Sequence, residues 1–95
     1  MPLAVGNTVT VNVSGFHSGD SVHAVVHNPQ RNSTVNNLGK TTAGASGNAT
    51  ITFAVTSAMT STSGTYVEDD IAVRNQDYAN CGEKYGTATD HIFVT

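Results

Sequence analysis

The sequence predicts an all-β fold: a Greek-key β-sandwich of about seven short antiparallel strands. Three observations lead there. Apolar and polar residues alternate with a period of two in several separate stretches, the pattern of strands with one buried and one wet face. Gly, Asn, Asp, Pro and Ser punctuate those stretches at short intervals, as turns require. No segment carries the 3.6-residue period of an amphipathic helix. Composition agrees. Fourteen Thr, eight Ser and nine Asn take the polar positions, and only 12% of residues are charged, against about 25% in ordinary soluble domains. Thr suits a pleated, half-exposed surface, whereas Asn, Gly and Ser suit turns.

The first strand spans Thr8 to Val13, with Val9, Val11 and Val13 on one face and Thr8, Thr10 and Asn12 on the other. Ser14 to Asp20 then reads as a sharp corner, with Gly15 and Gly19 bracketing Phe16 as a core plug. A second strand covers Ser21 to His27, where Val22, Ala24 and Val26 oppose His23, Val25 and His27. Asn28-Pro29 stops it, because proline lacks the N–H that a central ladder needs. Gln30 to Asn37 reads as a polar loop holding a short edge strand around Val35. Leu38 to Ala43 is expected to pair with Ala49 to Val55 as a hairpin across Gly44-Ala45-Ser46-Gly47-Asn48. Ser57 to Gly64 is a Ser/Thr-rich connection. Tyr66 to Arg74 resumes strand, with Val67, Ile71 and Val73 inward and Tyr66, Glu68, Asp70 and Arg74 outward. Asp69 interrupts the inward set, which marks a sheet margin or a bulge. After a long connection, Asn75 to Gly86, the last strand runs from Thr87 to Thr95, with Ala88, Ile92 and Val94 opposite His91 and Phe93. The whole, residues 1–95, reads as a single immunoglobulin-like sandwich domain, a class usually built from about 100 residues.

Charge and composition exclude several functions. A net charge of −3 with Arg31, Lys40, Arg74 and Lys84 scattered along 95 residues offers no basic cluster for a phosphate backbone, so no nucleic acid is expected. No apolar run approaches the ~20 residues of a membrane span. A single cysteine, Cys81, cannot form an internal disulfide. The first residues carry no charged and apolar leader pattern. The chain is therefore expected to be either a short complete reading frame or a domain cut from a longer protein.

The motifs Gly6-Asn7-Thr8-Val9-Thr10-Val11, Ser14-Gly15-Phe16-His17-Ser18-Gly19-Asp20-Ser21-Val22, Leu38-Gly39-Lys40-Thr41-Thr42-Ala43 and Gly47-Asn48-Ala49-Thr50-Ile51-Thr52-Phe53 resemble bacterial and phage immunoglobulin-like surface domains over roughly residues 6–56. Ser18 stands where that family usually has Pro, the Arg31–Asn37 segment lengthens a short loop, and the Asn75–Gly86 loop does not match the family's close. The resemblance implies a spacer, adhesive or decorating module, without chemistry or cofactor. The expected function is a non-enzymatic structural and interaction protein, a small decoration or accessory protein of a phage capsid. The alternative is a repeat domain of a bacterial cell-surface adhesin or cell-wall protein. The expected partner is a protein of a capsid or other surface lattice, with a host-surface glycan and a homo-oligomer left open. Its place would be the virion surface, or the cell surface as part of a larger secreted protein.

Candidate sites divide into weak and stronger readings. His23 and His27 share a strand face, but four residues along a strand is ~13 Å, too far for shared coordination. His17 and His91 add no ligand spacing. Glu68-Asp69-Asp70 lacks the alternate-position carboxylates and turn glycine of a calcium loop and reads as a solvated face with Asp69 turned inward. Cys81 has no neighbouring histidine in sequence to activate it. Three Asn-x-Ser/Thr sequons, at Asn12, Asn32 and Asn48, follow from a chain so rich in these residues. No metal and no catalytic residue is expected. Gln76, Tyr78, Asn80 and Tyr85, in the 75–86 connection, combine rigid amphipathic rings with adaptable amides, the chemistry of binding loops, and are the expected partner-binding residues. Tyr78→Ala or Tyr85→Ala should weaken partner binding in a titration while leaving the melting temperature nearly unchanged; equal loss of folding and binding would place those rings in the core.

Overall fold

Alternation of buried and exposed residues along β-strands of both sheets turns one face of each sheet toward the other, and the core forms between them. A computed structural model describes residues 1–75 and 88–95. Among them six strands follow in order: β1 (Thr8–Val13), β2 (Ser21–Asn28), β3 (Ser33–Thr42), β4 (Ala49–Ala54), β5 (Val67–Asn75) and β6 (Ala88–Val94). One turn of 3-10 helix, Ser57–Met59, lies between β4 and β5. β1 and β4 form a two-stranded sheet, and β3-β2-β5-β6 a four-stranded one. Both sheets are antiparallel throughout. The all-β expectation holds, but the strand count and one pairing differ from it.

The core is mostly aliphatic, with Phe16, Phe53 and Met59 added to it. Val9 and Val13 of β1 and Ile51 and Phe53 of β4 face Val22, Ala24 and Val26 of β2, Val67, Ile71 and Val73 of β5 and Val94 of β6. Val22, Ile51, Val73 and Val94 are fully buried, and Met59 closes the same cluster from the 3-10 turn. Each such side chain is worth about 1.5–3 kcal/mol relative to leaving it in water. Leu3, Val11, Leu38 and Ile92 pack around the rim.

The expected edge strand near Val35 and the expected strand from Leu38 are one continuous element, β3. Its pairing with β2 runs Val26–Val35, Ala24–Leu38 and Val22–Thr41. Each two-residue step on β2 thus meets three residues on β3, so β3 carries two bulges. Each bulge holds a residue in the left-handed region, Asn37 (φ 59°) and Gly39 (φ 57°), as an inserted residue often requires. Gly39 also lets β3 approach β4: a Cβ there would lie 2.6 Å from the Thr52 carbonyl oxygen. Two bulges break the two-residue period at Asn37 and Gly39, and for that reason the sequence reads as a loop with a short edge strand followed by a separate strand.

The expected Leu38–Val55 hairpin is absent. β3 pairs with β2 and β4 with β1, so residues 43–48 carry the chain from one sheet to the other. The turn itself is tight, closed by Gly47 N–H to the Gly44 carbonyl and Gly44 N–H to the Asn48 carbonyl, both at 2.9 Å. Gly47 sits at φ 79° with its missing Cβ directed into the Phe16 carbonyl, while Phe16 N–H donates to the Gly47 carbonyl at 3.2 Å. Phe16 is buried beneath this contact, as the corner pattern predicts. The β1–β2 corner and the β3–β4 crossing are therefore locked to each other. Asp20 extends the lock: its carboxylate accepts from His17 N–H at 3.0 Å and from the Asn75 side-chain amide at 3.2 Å, at the end of β5.

At the opposite end, Asn28 performs the same service. Its Nδ2 donates to the carbonyls of Ala58 (3.3 Å) and Thr60 (2.9 Å), and its Oδ1 accepts from the backbone N–H of Gln30 (2.9 Å) and Arg31 (3.0 Å). Arg31 donates to the Thr60 carbonyl and hydroxyl, and Gln30 accepts from Thr62 N–H. Asn28 is almost fully buried, so these bonds hold Met59 in the core without water to compete. Asn28→Ala should lower stability by about 1–3 kcal/mol in denaturant unfolding, the cost of orphaning buried polar groups. Asn28→Asp should do no better, because two carbonyls would then face a carboxylate.

Candidate functional site

The outward face of the four-stranded sheet carries most of the titratable side chains among the described residues. Register sets them in rows. β2 and β5 pair His23 with Arg74, Val25 with Ala72 and His27 with Asp70. β5 and β6 pair Asp70 with His91 and Glu68 with Phe93. A polar row therefore crosses four strands, Thr34–His27–Asp70–His91, and both ends are hydrogen-bonded. His27 Nδ1 lies 3.1 Å from Thr34 Oγ1, and His91 Nδ1 lies 2.9 Å from Asp70 Oδ1 and 3.8 Å from Glu68 Oε2. An ionised carboxylate only accepts, so His91 Nδ1 carries the hydrogen and Nε2 is left facing away from the pair.

Beside this row, the small pair Val25 and Ala72 lies between the His27–Asp70 and His23–Arg74 pairs. The result is a trough of about 490 Å³. His23 and His27 share this face, as alternation predicts, but stand on either side of Val25 and do not meet. Burial, with Lys40 and Arg74 nearby, lowers the His23 pKa, which keeps its ring neutral at pH 7. Among the described residues no three His, Cys, Asp or Glu side chains come together to hold a metal ion.

Further along the same face the chemistry turns apolar. Tyr66 and Phe93 are half exposed and meet edge to face, with centroids 5.6 Å apart at 80°. The N-terminal segment runs alongside: Leu3 N–H donates to the Phe93 carbonyl (2.7 Å) and Thr95 N–H to the Leu3 carbonyl (2.9 Å), a parallel bridge to β6. Met1 and Pro2 thus complete a hollow of about 280 Å³ with the two rings. Alternation places Tyr66 and Phe93 outward, but their meeting depends on the β5–β6 register, which the sequence does not display. The same holds for Asp70 and His91. The expected contact residues Gln76, Tyr78, Asn80 and Tyr85, and Cys81 with them, lie outside the described residues. Among the described residues no helix is long and apolar enough to cross a membrane.

Among the described residues Asp69 is the one charged side chain fully inside. It sits where pairing to β2 stops, since the last β2–β5 pair is His27–Asp70 while β6 continues to Val67. This is the sheet margin that its place in the inward set suggests, without a bulge in β5. Neither carboxylate oxygen has a hydrogen-bond partner. Burial first, then Asp70, raise its pKa from 3.8 to about 6, against weaker opposing effects of His27 and Arg31. No family model, curated protein or solved structure matches the chain.

The folded state holds the Asp69 proton more tightly than the unfolded state does. The stabilisation is complete below about pH 4 and is lost as pH rises through about 6. Asp69→Asn should therefore be more stable than the parent at pH 8, with the difference vanishing toward pH 4 in denaturant unfolding. A difference independent of pH would mean that the carboxylate is solvated.

Proposed function

We propose that the chain is a non-enzymatic structural and interaction protein, a small decoration or accessory protein that binds a phage capsid or similar surface lattice. The single observation that carries this reading is the Tyr66–Phe93 pair with Met1 and Pro2. Two aromatic rings, half exposed side by side and joined by the apolar Met1–Pro2 segment, form a contiguous patch. Such patches mark protein contacts, and aromatic anchors dominate their energetics. A protein partner fits this apolar anchor, with Glu68, paired with Phe93, as a charge on its rim.

The strand order also supports an immunoglobulin-type sandwich as the scaffold. β1-β4 against β3-β2-β5-β6 corresponds to B-E on one sheet and C′-C-F-G on the other, and the parallel bridge of Leu3 to Val94 places a further short segment beside the last strand. In this reading the two termini share one edge of the four-stranded sheet, next to the aromatic patch.

The test is co-sedimentation of the purified chain with native particles, scored by mass spectrometry. The parent chain should sediment with the capsid, and Phe93→Ser should weaken that association about tenfold or more with an unchanged melting temperature. Failure to sediment with particles, together with a parent gene encoding a wall-anchored surface protein, would favour the adhesin domain instead. Equal binding by Phe93→Ser would remove the aromatic patch from the interface.

A further inference from the structure

We propose that the trough over Val25 and Ala72 is a binding site for a neutral oligosaccharide, distinct from the aromatic patch and beyond the lattice-binding role. The shape comes from residue size. On the outward face, long polar side chains flank a pair of small apolar ones: His27, Asp70 and His91 on one side, Arg74 on the other, with Val25 and Ala72 as floor. Same-face residues four apart on a strand are ~13 Å apart, so the polar walls leave room for a ligand against the floor. At about 490 Å³ the trough falls within the roughly 300–1,000 Å³ of small-molecule sites.

Lining chemistry selects the ligand class. A sugar hydroxyl both donates and accepts, and the walls mix acceptor-only carboxylates (Asp70), a donor-only guanidinium (Arg74), and groups that do both (Thr34, Asn36). The apolar floor, with Val25 buried and Ala72 half-buried, offers a small non-polar contact for the C–H groups of a sugar ring. The walls are also preset: the Asp70–His91 and His27–Thr34 bonds hold both imidazoles in place before any ligand arrives, which lowers the ordering cost of binding. An anionic ligand fits poorly, because Asp70 and Asp90 line the trough and Glu68 stands close to His91.

The test uses the full chain on an array of neutral glucose-, galactose-, mannose- and N-acetylhexosamine-terminated oligosaccharides beside sialylated and sulfated ones. At least one neutral saccharide should be retained, in preference to its acidic counterparts. Titrating the best neutral saccharide into labelled chain should then shift amide resonances of β2 and β5 around Val25 and Ala72. Ala72→Phe, which fills the trough from an outward position, should weaken that binding about tenfold or more. Asp70→Asn, at an exposed side chain, provides a second variant that tests the wall without adding bulk and should weaken it too. Phe93→Ser should leave saccharide binding intact, which separates this site from the lattice contact. Retention of no neutral saccharide, a preference for the acidic probes, or unchanged binding by both trough variants would overturn the proposal.

Discussion

The register of β5 between β2 and β6 is the constraint on which the rest depends. Because side chains alternate with a period of two, a slip of one residue would exchange the faces of the strand. Val67, Ile71 and Val73 would leave the core, and Glu68, Asp70 and Arg74 would enter it. The observed register buries the apolar set against Val22, Val26 and Ile51 and aligns His27, Asp70 and His91 on the opposite face. It also holds Asp69 inside, at the margin where β2 has ended. One alignment thus sets the core, the outward trough and the aromatic patch together.

The ends of the sandwich hold that alignment in place by polar contacts. Phe16 and Gly47 join the two sheets at one end, and Asp20 links this corner to Asn75. Asn28 joins the end of β2 to the 3-10 turn at the other. The Asn28 lock differs from Asp69 in being satisfied on both its amide atoms, whereas Asn75 in the other lock donates to Asp20 but leaves its Oδ1 without a partner. Burial without a partner destabilises the ionised form of a carboxylate, so Asp69, the one unsatisfied buried carboxylate among the described residues, makes stability depend on pH, while the satisfied amide of Asn28 does not.

How much of this the sequence displays depends on whether one face of an element is wet. β1, β4 and β5 alternate cleanly because each has a buried and a solvated side, and their bounds are readable to within a residue or two. β2 ends at Asn28, as the following proline requires. β3 is readable only in pieces, an edge strand around Val35 and a strand from Leu38, because two bulges at Asn37 and Gly39 break its period and its polar residues suit an edge. The Gly44–Asn48 turn would serve a hairpin or a crossing between sheets equally well, and only the facing of Ile51 and Phe53 against β2 and β5 decides it. The outward site is half legible for the same reason. Alternation turns Tyr66, Asp70, His91 and Phe93 outward, but which of them touch is set by a register between strands that are distant in sequence. The four loop residues singled out from composition lie outside the described residues, whereas the patch and the trough emerge from strands.

Hydroxyl-radical footprinting of the chain, free and bound to native particles, tests the proposed partner contact on the outward face of β5 and β6. Oxidation of Tyr66 and Phe93 should fall on binding, while that of buried Phe16 stays low in both states. Unchanged reactivity of both rings in the bound chain would contradict it.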